Sequence, residues 1–152
     1  MTETFDVVVI GTGAAGLCAA LSAQAEGANV LVVEKSELAG GTTAMSGGCI
    51  WVPRHHYAEG MGVKDSREAV LEYIHAVSPD GWHNGEAPAW AAIVDYGPEM
   101  LRCLEANSPL KFNPNRDPDP YAVEAGGLTF GRNVTAAPVR IGILGDWQSK
   151  VR

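Results

Sequence analysis

The apolar and polar positions of the first 34 residues predict a strand, a helix and a second strand. Residues 5–10 contain the unbroken β-branched run Val7–Ile10, which is typical of a parallel strand buried on both faces. Residues 14–26 are rich in helix formers, and Gly27 is suited to ending that helix. Residues 29–33 are predicted as a second buried strand, because residues 30–33 are all apolar, and Glu34 lies at its carboxyl end. This order predicts a βαβ unit.

Beyond Pro53 the apolar residues recur at helical spacing. A helix is predicted over residues 66–77, with Asp65 as its N-cap and Glu68 as the capping-box partner. A second helix is predicted over residues 89–96, because the dipeptide Gly97–Pro98 should break it. Pro98 is suited to the first position of a third helix, which should run to about residue 106.

The remaining segments contain little regular pattern. Residues 110–112 are a short strand candidate, and residues 113–127 are too rich in proline for regular structure. The predicted fold is therefore α/β: a Rossmann-like βαβ start with an incomplete sheet, followed by a mostly helical segment. Only two convincing parallel strands are found, so we expect the sheet to be completed by residues outside this chain.

The turn after the first predicted strand carries three glycines with the spacing of a dinucleotide-binding loop. Gly11 permits a tight turn, Gly13 lets the backbone approach a pyrophosphate, and Gly16 lets the helix pack closely on the strands. The N–H groups and dipole of that helix would face the phosphates. Glu34, at the end of the second strand, is placed to accept hydrogen bonds from ribose hydroxyls.

Composition excludes several classes of function. The 152 residues have a formal net charge of −7, which argues against nucleic acid or an anionic membrane as a partner. Neither a signal peptide nor a stretch approaching ~20 apolar residues is found, so a cytoplasmic location is expected. The scattered cysteines and the histidine pair His55–His56 suggest no metal site, and that pair is expected in an exposed loop.

Two motifs resemble those of the fumarate reductase and 3-ketosteroid dehydrogenase superfamily of flavoproteins. They are GTGAAG at residues 11–16 and VVEKSELAGGTTAMSGGCIWVP at residues 32–53. The resemblance implies FAD as the cofactor, with the segment after the acidic residue crossing the pyrophosphate and reaching the flavin ring. The expected FAD-binding residues are Gly11, Gly13, Ala14, Ala15, Gly16, Glu34, Lys35, Gly40, Gly41, Thr42, Thr43, Ser46, Gly47 and Gly48.

One departure within this superfamily concerns how FAD is attached. In the succinate dehydrogenase branch, a histidine at the position of Gly41 bonds covalently to the flavin. Glycine cannot form that bond, so FAD is expected to be non-covalent. Together with the WVP tripeptide at residues 51–53, this difference favours the ketosteroid branch.

The segment DPDPYAVEAGGLTFGR, residues 117–132, is similar to a segment of 3-ketosteroid dehydrogenases. Counting back from the glycine pair places Tyr121 on an active-site tyrosine of that family, with Pro120 replacing a preceding tyrosine. The resemblance implies that Tyr121 helps to remove a proton from C2 of the steroid while C1 gives a hydride to flavin N5. A surface-packing role for Tyr121, and a structural or ligand role for Arg132, stay open.

The resemblance also implies that residues 1–152 are the amino-terminal part of an FAD-binding domain. Residues 1–53 would be the βαβ and flavin-contact segment and residues 54–152 the helical and loop segment, with the capping domain outside this chain. The expected function is FAD binding in a dehydrogenase that introduces a C1–C2 double bond into 3-ketosteroids, and we expect this stretch alone to be inactive. The alternatives are a fumarate-reductase-like enzyme acting on an unsaturated acid and a non-catalytic nucleotide-binding module. The electron acceptor is not indicated.

Overall fold

A computed structural model describes residues 3–83 and 85–152. The chain forms two compact units. Unit 1 contains residues 3–48, 103–110 and 138–152, and unit 2 contains residues 49–102 and 111–137.

Unit 1 is built on the predicted βαβ arrangement. Strand β1 (Val7–Ile10) pairs in parallel with β2 (Val30–Val33), and helix α1 (Ala14–Ala25) connects them. Gly27 ends the helix as predicted, because its φ of 88° is costly for residues with a Cβ. The N–H groups of Gly27 and Ala28 bond to the carbonyls of Gln24 and Ala23, which completes a Schellman cap.

The sheet of unit 1 is incomplete, as the sequence predicted. Within the described residues, β1 has β2 as its only neighbour in the sheet. The expected burial of both faces is not seen, because Val8 is 57% and Ile10 87% exposed. One helix packed against two strands covers only one face, on which Val9 is buried. Unit 1 also contains a 3₁₀ turn at Thr43–Met45 and a 3₁₀ segment at Ile141–Lys150, which is kinked at Gly145.

Unit 2 contains a second sheet. The sequence analysis predicted only one short strand of it, at residues 110–112, which shares Phe112 with a strand of the structure. Strands β3 (Cys49–Trp51), β4 (Phe112–Pro114) and β5 (Asn133–Ala136) pair antiparallel in the order β3–β5–β4. The proline-rich segment was expected to be irregular from residue 113. Pro114 is nevertheless compatible with β4, because an edge strand can do without one N–H donor. A further 3₁₀ turn spans Glu59–Met61.

Helix α2 (Arg67–Val77) confirms the first predicted helix but begins one residue later. Its N-cap is Ser66, whose hydroxyl accepts the Ala69 N–H at 3.1 Å. Asp65 was the wrong choice of cap because both of its oxygens bind the guanidinium of Arg132.

The predicted break at Pro98 is also wrong, since one helix, α3 (Ala87–Asn107), runs through it. A proline inside a helix leaves the carbonyl four residues earlier without its usual donor. Here that carbonyl belongs to Val94, and Arg54 Nη1 donates to it at 3.4 Å. The helix therefore continues, with its buried side packed into the core of unit 2, which includes Val52, Val70, Tyr73, Val94, Leu101, Phe112 and Val134.

Candidate functional site

The glycine-rich turn of unit 1 has the geometry that its sequence predicts. Gly11 has a φ of 99°, and its N–H donates to the Val33 carbonyl at 2.7 Å. A Cβ on Gly16 would collide with the Gly11 carbonyl oxygen, so only glycine permits this contact between helix and turn. A Cβ on Gly13 would meet only Thr43 Oγ1, at 3.8 Å. Packing within the described residues therefore does not require a glycine at position 13, and the space beside its backbone is open.

The start of α1 presents unused hydrogen-bond donors. The Ala14 N–H bonds to Thr43 Oγ1 at 3.0 Å, and the Leu17 N–H bonds to the Gly13 carbonyl. The N–H groups of Ala15 and Gly16 have no acceptor in the described part of the chain. Free N–H groups and the positive end of the helix dipole together attract an anionic group such as a phosphate.

Glu34 lies beside this turn and is held by three hydrogen bonds. Its Oε2 accepts from the Thr12 N–H at 2.9 Å and from the Thr12 hydroxyl at 2.5 Å, and its Oε1 accepts from the Ser36 N–H at 3.0 Å. The Thr12 hydroxyl, followed by these backbone N–H groups, lowers the pKa of Glu34 from 4.5 to about 2. The side chain is therefore a carboxylate at every physiological pH.

The segment after Glu34 folds back onto the glycine-rich turn. A Cβ on Gly41 would lie 3.5 Å from Gly13 Cα, and the Gly40 N–H donates to Thr12 Oγ1 at 2.8 Å. Through these contacts the structure brings Gly40, Gly41 and Thr43 to the start of α1.

For the other predicted FAD-binding residues, the structure shows local hydrogen bonds or exposure rather than contacts with the glycine-rich turn. The Ser46 hydroxyl donates to the Thr43 carbonyl at 2.8 Å and accepts from the Gly48 N–H at 3.2 Å, which shapes a local turn. Lys35, Thr42 and Gly47 are exposed. The sequence analysis missed Thr12, and the only signal for it was a hydroxyl residue between the first two glycines.

Tyr121 lies in a turn of unit 2, with a side chain that is 60% exposed. Its N–H donates to the Tyr73 hydroxyl of α2 at 3.3 Å. Gly126 fixes the same loop on α2: its φ is 72°, and a Cβ there would collide with the Ala69 carbonyl oxygen. The backbone of this loop is thus held in place while the ring of Tyr121 remains accessible.

Arg132 anchors the loop from inside. It is fully buried, and its Nε and Nη2 bind the two oxygens of Asp65 at 3.0 and 2.7 Å. Nη1 binds Asp119 Oδ2 at 2.8 Å, and Asp119 Oδ1 accepts from Trp51 Nε1 at 2.7 Å. Burial acts to lower the pKa of Arg132, but the two carboxylates raise it above its usual value. With both carboxylates bound, the guanidinium has a structural role.

His55 corrects one expectation, because it is buried rather than in an exposed loop. Its neighbours Val52 and Pro53 are buried with it, and its Nδ1 accepts the Tyr57 N–H at 3.2 Å. Burial, and secondarily His56, lowers the pKa of His55 below its usual value, which favours the neutral ring. Over residues 3–83 and 85–152, no cluster of His, Cys, Asp or Glu could hold a metal ion, and no helix is long and apolar enough to span a membrane.

Residues 6–149 match the family model described as an FAD binding domain. The 3-oxosteroid 1-dehydrogenase of Mycolicibacterium smegmatis is 40% identical over 147 residues, which are 94% of this chain and 25% of that protein. The 4-oxocyclohexanecarboxylate 2-dehydrogenase of Sinomonas cyclohexanicum is 38% identical over 152 residues, 99% of this chain and 26% of that protein.

A crystal structure gives the same result at the level of the fold. The 3-ketosteroid delta1-dehydrogenase from Sterolibacterium denitrificans, in complex with 1,4-androstadiene-3,17-dione, matches with a TM-score of 0.88 and 36% identity. The match covers 99% of this chain and 26% of that one. The chain thus spans about a quarter of the length of each of these proteins.

Proposed function

Because the chain belongs to the FAD binding domain family, we propose that it forms the dinucleotide-binding part of a flavoprotein dehydrogenase that acts on a 3-ketosteroid. The observation that supports the FAD site is that three features lie together at or beside the start of α1. They are an open Gly13, the free N–H groups of Ala15 and Gly16, and an ionised Glu34. When bound, FAD supplies the hydride acceptor, N5 of its flavin ring.

Different residues of the chain would bind different parts of FAD. Gly13 leaves room for the pyrophosphate, and the N–H groups of Ala15 and Gly16 donate to it. Glu34 accepts a hydrogen bond from the ribose of the adenosine half. The remaining predicted residues of the segment from Gly40 to Gly48 would line the path to the flavin, and Gly41 makes the attachment non-covalent.

Tyr121 is proposed as the group that removes a proton from C2 of the steroid, so that a C1–C2 double bond forms. The accessible ring on an anchored loop supports this role. A phenol has an unperturbed pKa near ~10, so it works as a base only where a neighbour lowers that value. The substrate class rests on the similarity to enzymes named for oxosteroids.

A carboxylate-bearing substrate is the second candidate, favoured by the similar identity to an enzyme named for 4-oxocyclohexanecarboxylate. A site for such a substrate needs a cationic partner. Arg132 is buried and bound to two carboxylates, so it is not available for that purpose. Arg116 is exposed, and its guanidinium lies 5.0 Å from the centroid of the Phe130 ring. The steroid stays the first candidate because of the 40% identity to an enzyme named for an oxosteroid and the TM-score of 0.88 with a steroid-bound structure.

The FAD site is tested by titrating the chain with FAD and following the change in flavin fluorescence. Gly13→Val should abolish binding, because its side chain would occupy the space of the pyrophosphate while meeting little of the protein. Gly142→Val is the matched control, since Gly142 also has no close neighbours and lies outside the site. Binding of FAD to Gly13→Val as tight as to the control would contradict the assignment.

Attachment is tested on the FAD-loaded protein. Acid precipitation should release all flavin into the supernatant. Flavin retained on the washed pellet would show that a residue other than Gly41 forms a covalent bond.

A further inference from the structure

The Thr12 hydroxyl occupies the centre of the candidate site, although no motif requires a hydroxyl there. It donates to Glu34 Oε2 and accepts from the Gly40 N–H, at 2.5 and 2.8 Å. The Thr12 N–H donates to the same Oε2 at 2.9 Å. One side chain therefore connects the glycine-rich turn, the end of β2 and the segment that begins at Gly40.

We propose that Thr12 is a positioning residue for the ribose of FAD, which orients the Glu34 carboxylate so that only Oε1 receives a ribose hydroxyl. This inference rests on the proposed function and adds to it the residue through which Glu34 acts.

The hydrogen-bond capacity of the carboxylate supports this assignment. An ionised carboxylate offers about four lone-pair positions, two on each oxygen. Thr12 uses both positions on Oε2, and the Ser36 N–H uses one on Oε1. The Lys35 N–H also interacts with this carboxylate. Because Thr12 takes both positions on Oε2, a ribose hydroxyl is directed to Oε1. The carboxylate cannot rotate to offer Oε2 without breaking both bonds to Thr12.

The Gly40 contact extends the effect to the phosphate-binding segment. Gly40 has a φ of 114°, and it is followed by Gly41 and Thr43, which lie at the start of α1. Because one oxygen, Thr12 Oγ1, contacts both Glu34 and Gly40, its loss should loosen ribose and pyrophosphate contacts together.

The test compares Thr12→Val, which keeps the shape and removes the hydroxyl, with Thr12→Ser, which restores the hydroxyl. The probe is ADP, the adenosine diphosphate half of FAD, alongside its 2′,3′-dideoxy analogue. We expect Thr12→Val to weaken ADP binding by about 10- to 100-fold, the usual effect of losing a hydrogen bond to a charged group. Thr12→Ser should stay within about threefold of wild type.

The dideoxy analogue separates positioning of the ribose contact from general loosening of the turn. Wild type should prefer ADP to the analogue, and Thr12→Val should lose most of that preference. A double-mutant cycle with Glu34→Gln should be non-additive, because one residue acts through the other.

The outcomes of these measurements distinguish failure of the role of Thr12 from failure of the proposed function. Equal loss of affinity for ADP and for its analogue, or additivity with Glu34→Gln, overturns the role of Thr12. Thr12→Val within threefold of wild type does the same. A wild-type chain that binds neither ADP nor FAD overturns the proposed function itself, and this inference with it.

Discussion

Replacing Arg132 by methionine should destabilise unit 2 severely, because it leaves two carboxylates buried without their cation. The side chains of Asp65 and Asp119 are each 1% exposed. Removing one partner of a buried ion pair typically costs about 3–5 kcal/mol. We expect at least this amount, since a single substitution here removes the partner of two carboxylates.

The two carboxylates should not contribute equally. After the substitution Asp119 keeps the Trp51 indole N–H and the Leu128 N–H as donors, at 2.7 and 2.9 Å. Asp65 keeps the Arg54 N–H, at 3.3 Å, as its one donor among the residues that the structure describes. In the Arg132→Met background, Asp65→Asn should therefore restore more stability than Asp119→Asn.

Urea unfolding measures these differences, and Trp51 provides a fluorescent probe within the cluster. With a slope of about 1–2 kcal/mol per molar urea, the midpoint of Arg132→Met should fall by about 2 M or more. Arg116→Met is the control, because Arg116 is exposed and lies 5.0 Å from the Phe130 ring centroid. Its cost should stay within about 1 kcal/mol. A cost for Arg132→Met as small as that of the control would refute the reasoning.

Three further predictions follow from the site. The pKa of Glu34 is lowered to about 2, so its ionised form stabilises the fold above pH 4.5 and this contribution is lost as the pH falls towards 2. The difference in urea midpoint between wild type and Glu34→Gln should therefore shrink over that range, and a constant difference would contradict it. Gly16→Ala should cost about 1–3 kcal/mol in unfolding, because its Cβ meets the Gly11 carbonyl, whereas Gly142→Ala should be nearly neutral. In a dehydrogenase that contains this chain, Tyr121→Phe should slow steroid turnover by about 10²- to 10⁴-fold and leave FAD content unchanged. Turnover within threefold of wild type would remove Tyr121 from the proposed mechanism.

The βαβ unit could be predicted because its determinants are local. The β-branched residues Val7–Ile10 favour a strand, and the glycines permit the tight turn that follows it. Glu34 was found from its position at the end of the second strand. The continuous helix α3 could not be predicted, because the donor that replaces the missing N–H of Pro98 comes from Arg54, more than 40 residues earlier. Likewise, the burial of His55 depends on tertiary packing that the polar residues around it do not indicate.

Most of the second sheet was missed for a related reason. Its strands contain three or four residues each, too few for an alternating pattern to stand out. In the candidate site, the glycines and Glu34 were found from their spacing, whereas Thr12 depends on which side-chain atoms meet. Spacing along the chain thus indicated the class of ligand, and the hydrogen bonds were needed to indicate how Glu34 is oriented.

The pairing of the strands also determines the order in which the two sheets can form during synthesis of the protein. In unit 1, Val7 pairs with Val30, so β1 and β2 can meet once Val33 has left the ribosome. In unit 2, Cys49 pairs with Thr135, so β3 must wait until residue 135 has been synthesised. Closing the longer loop costs only about 1 kcal/mol more in chain entropy, so the delay is set by synthesis rather than by stability. During that interval β3 lacks its partner, and the nucleotide-binding turn can form before the loop that carries Tyr121 is anchored.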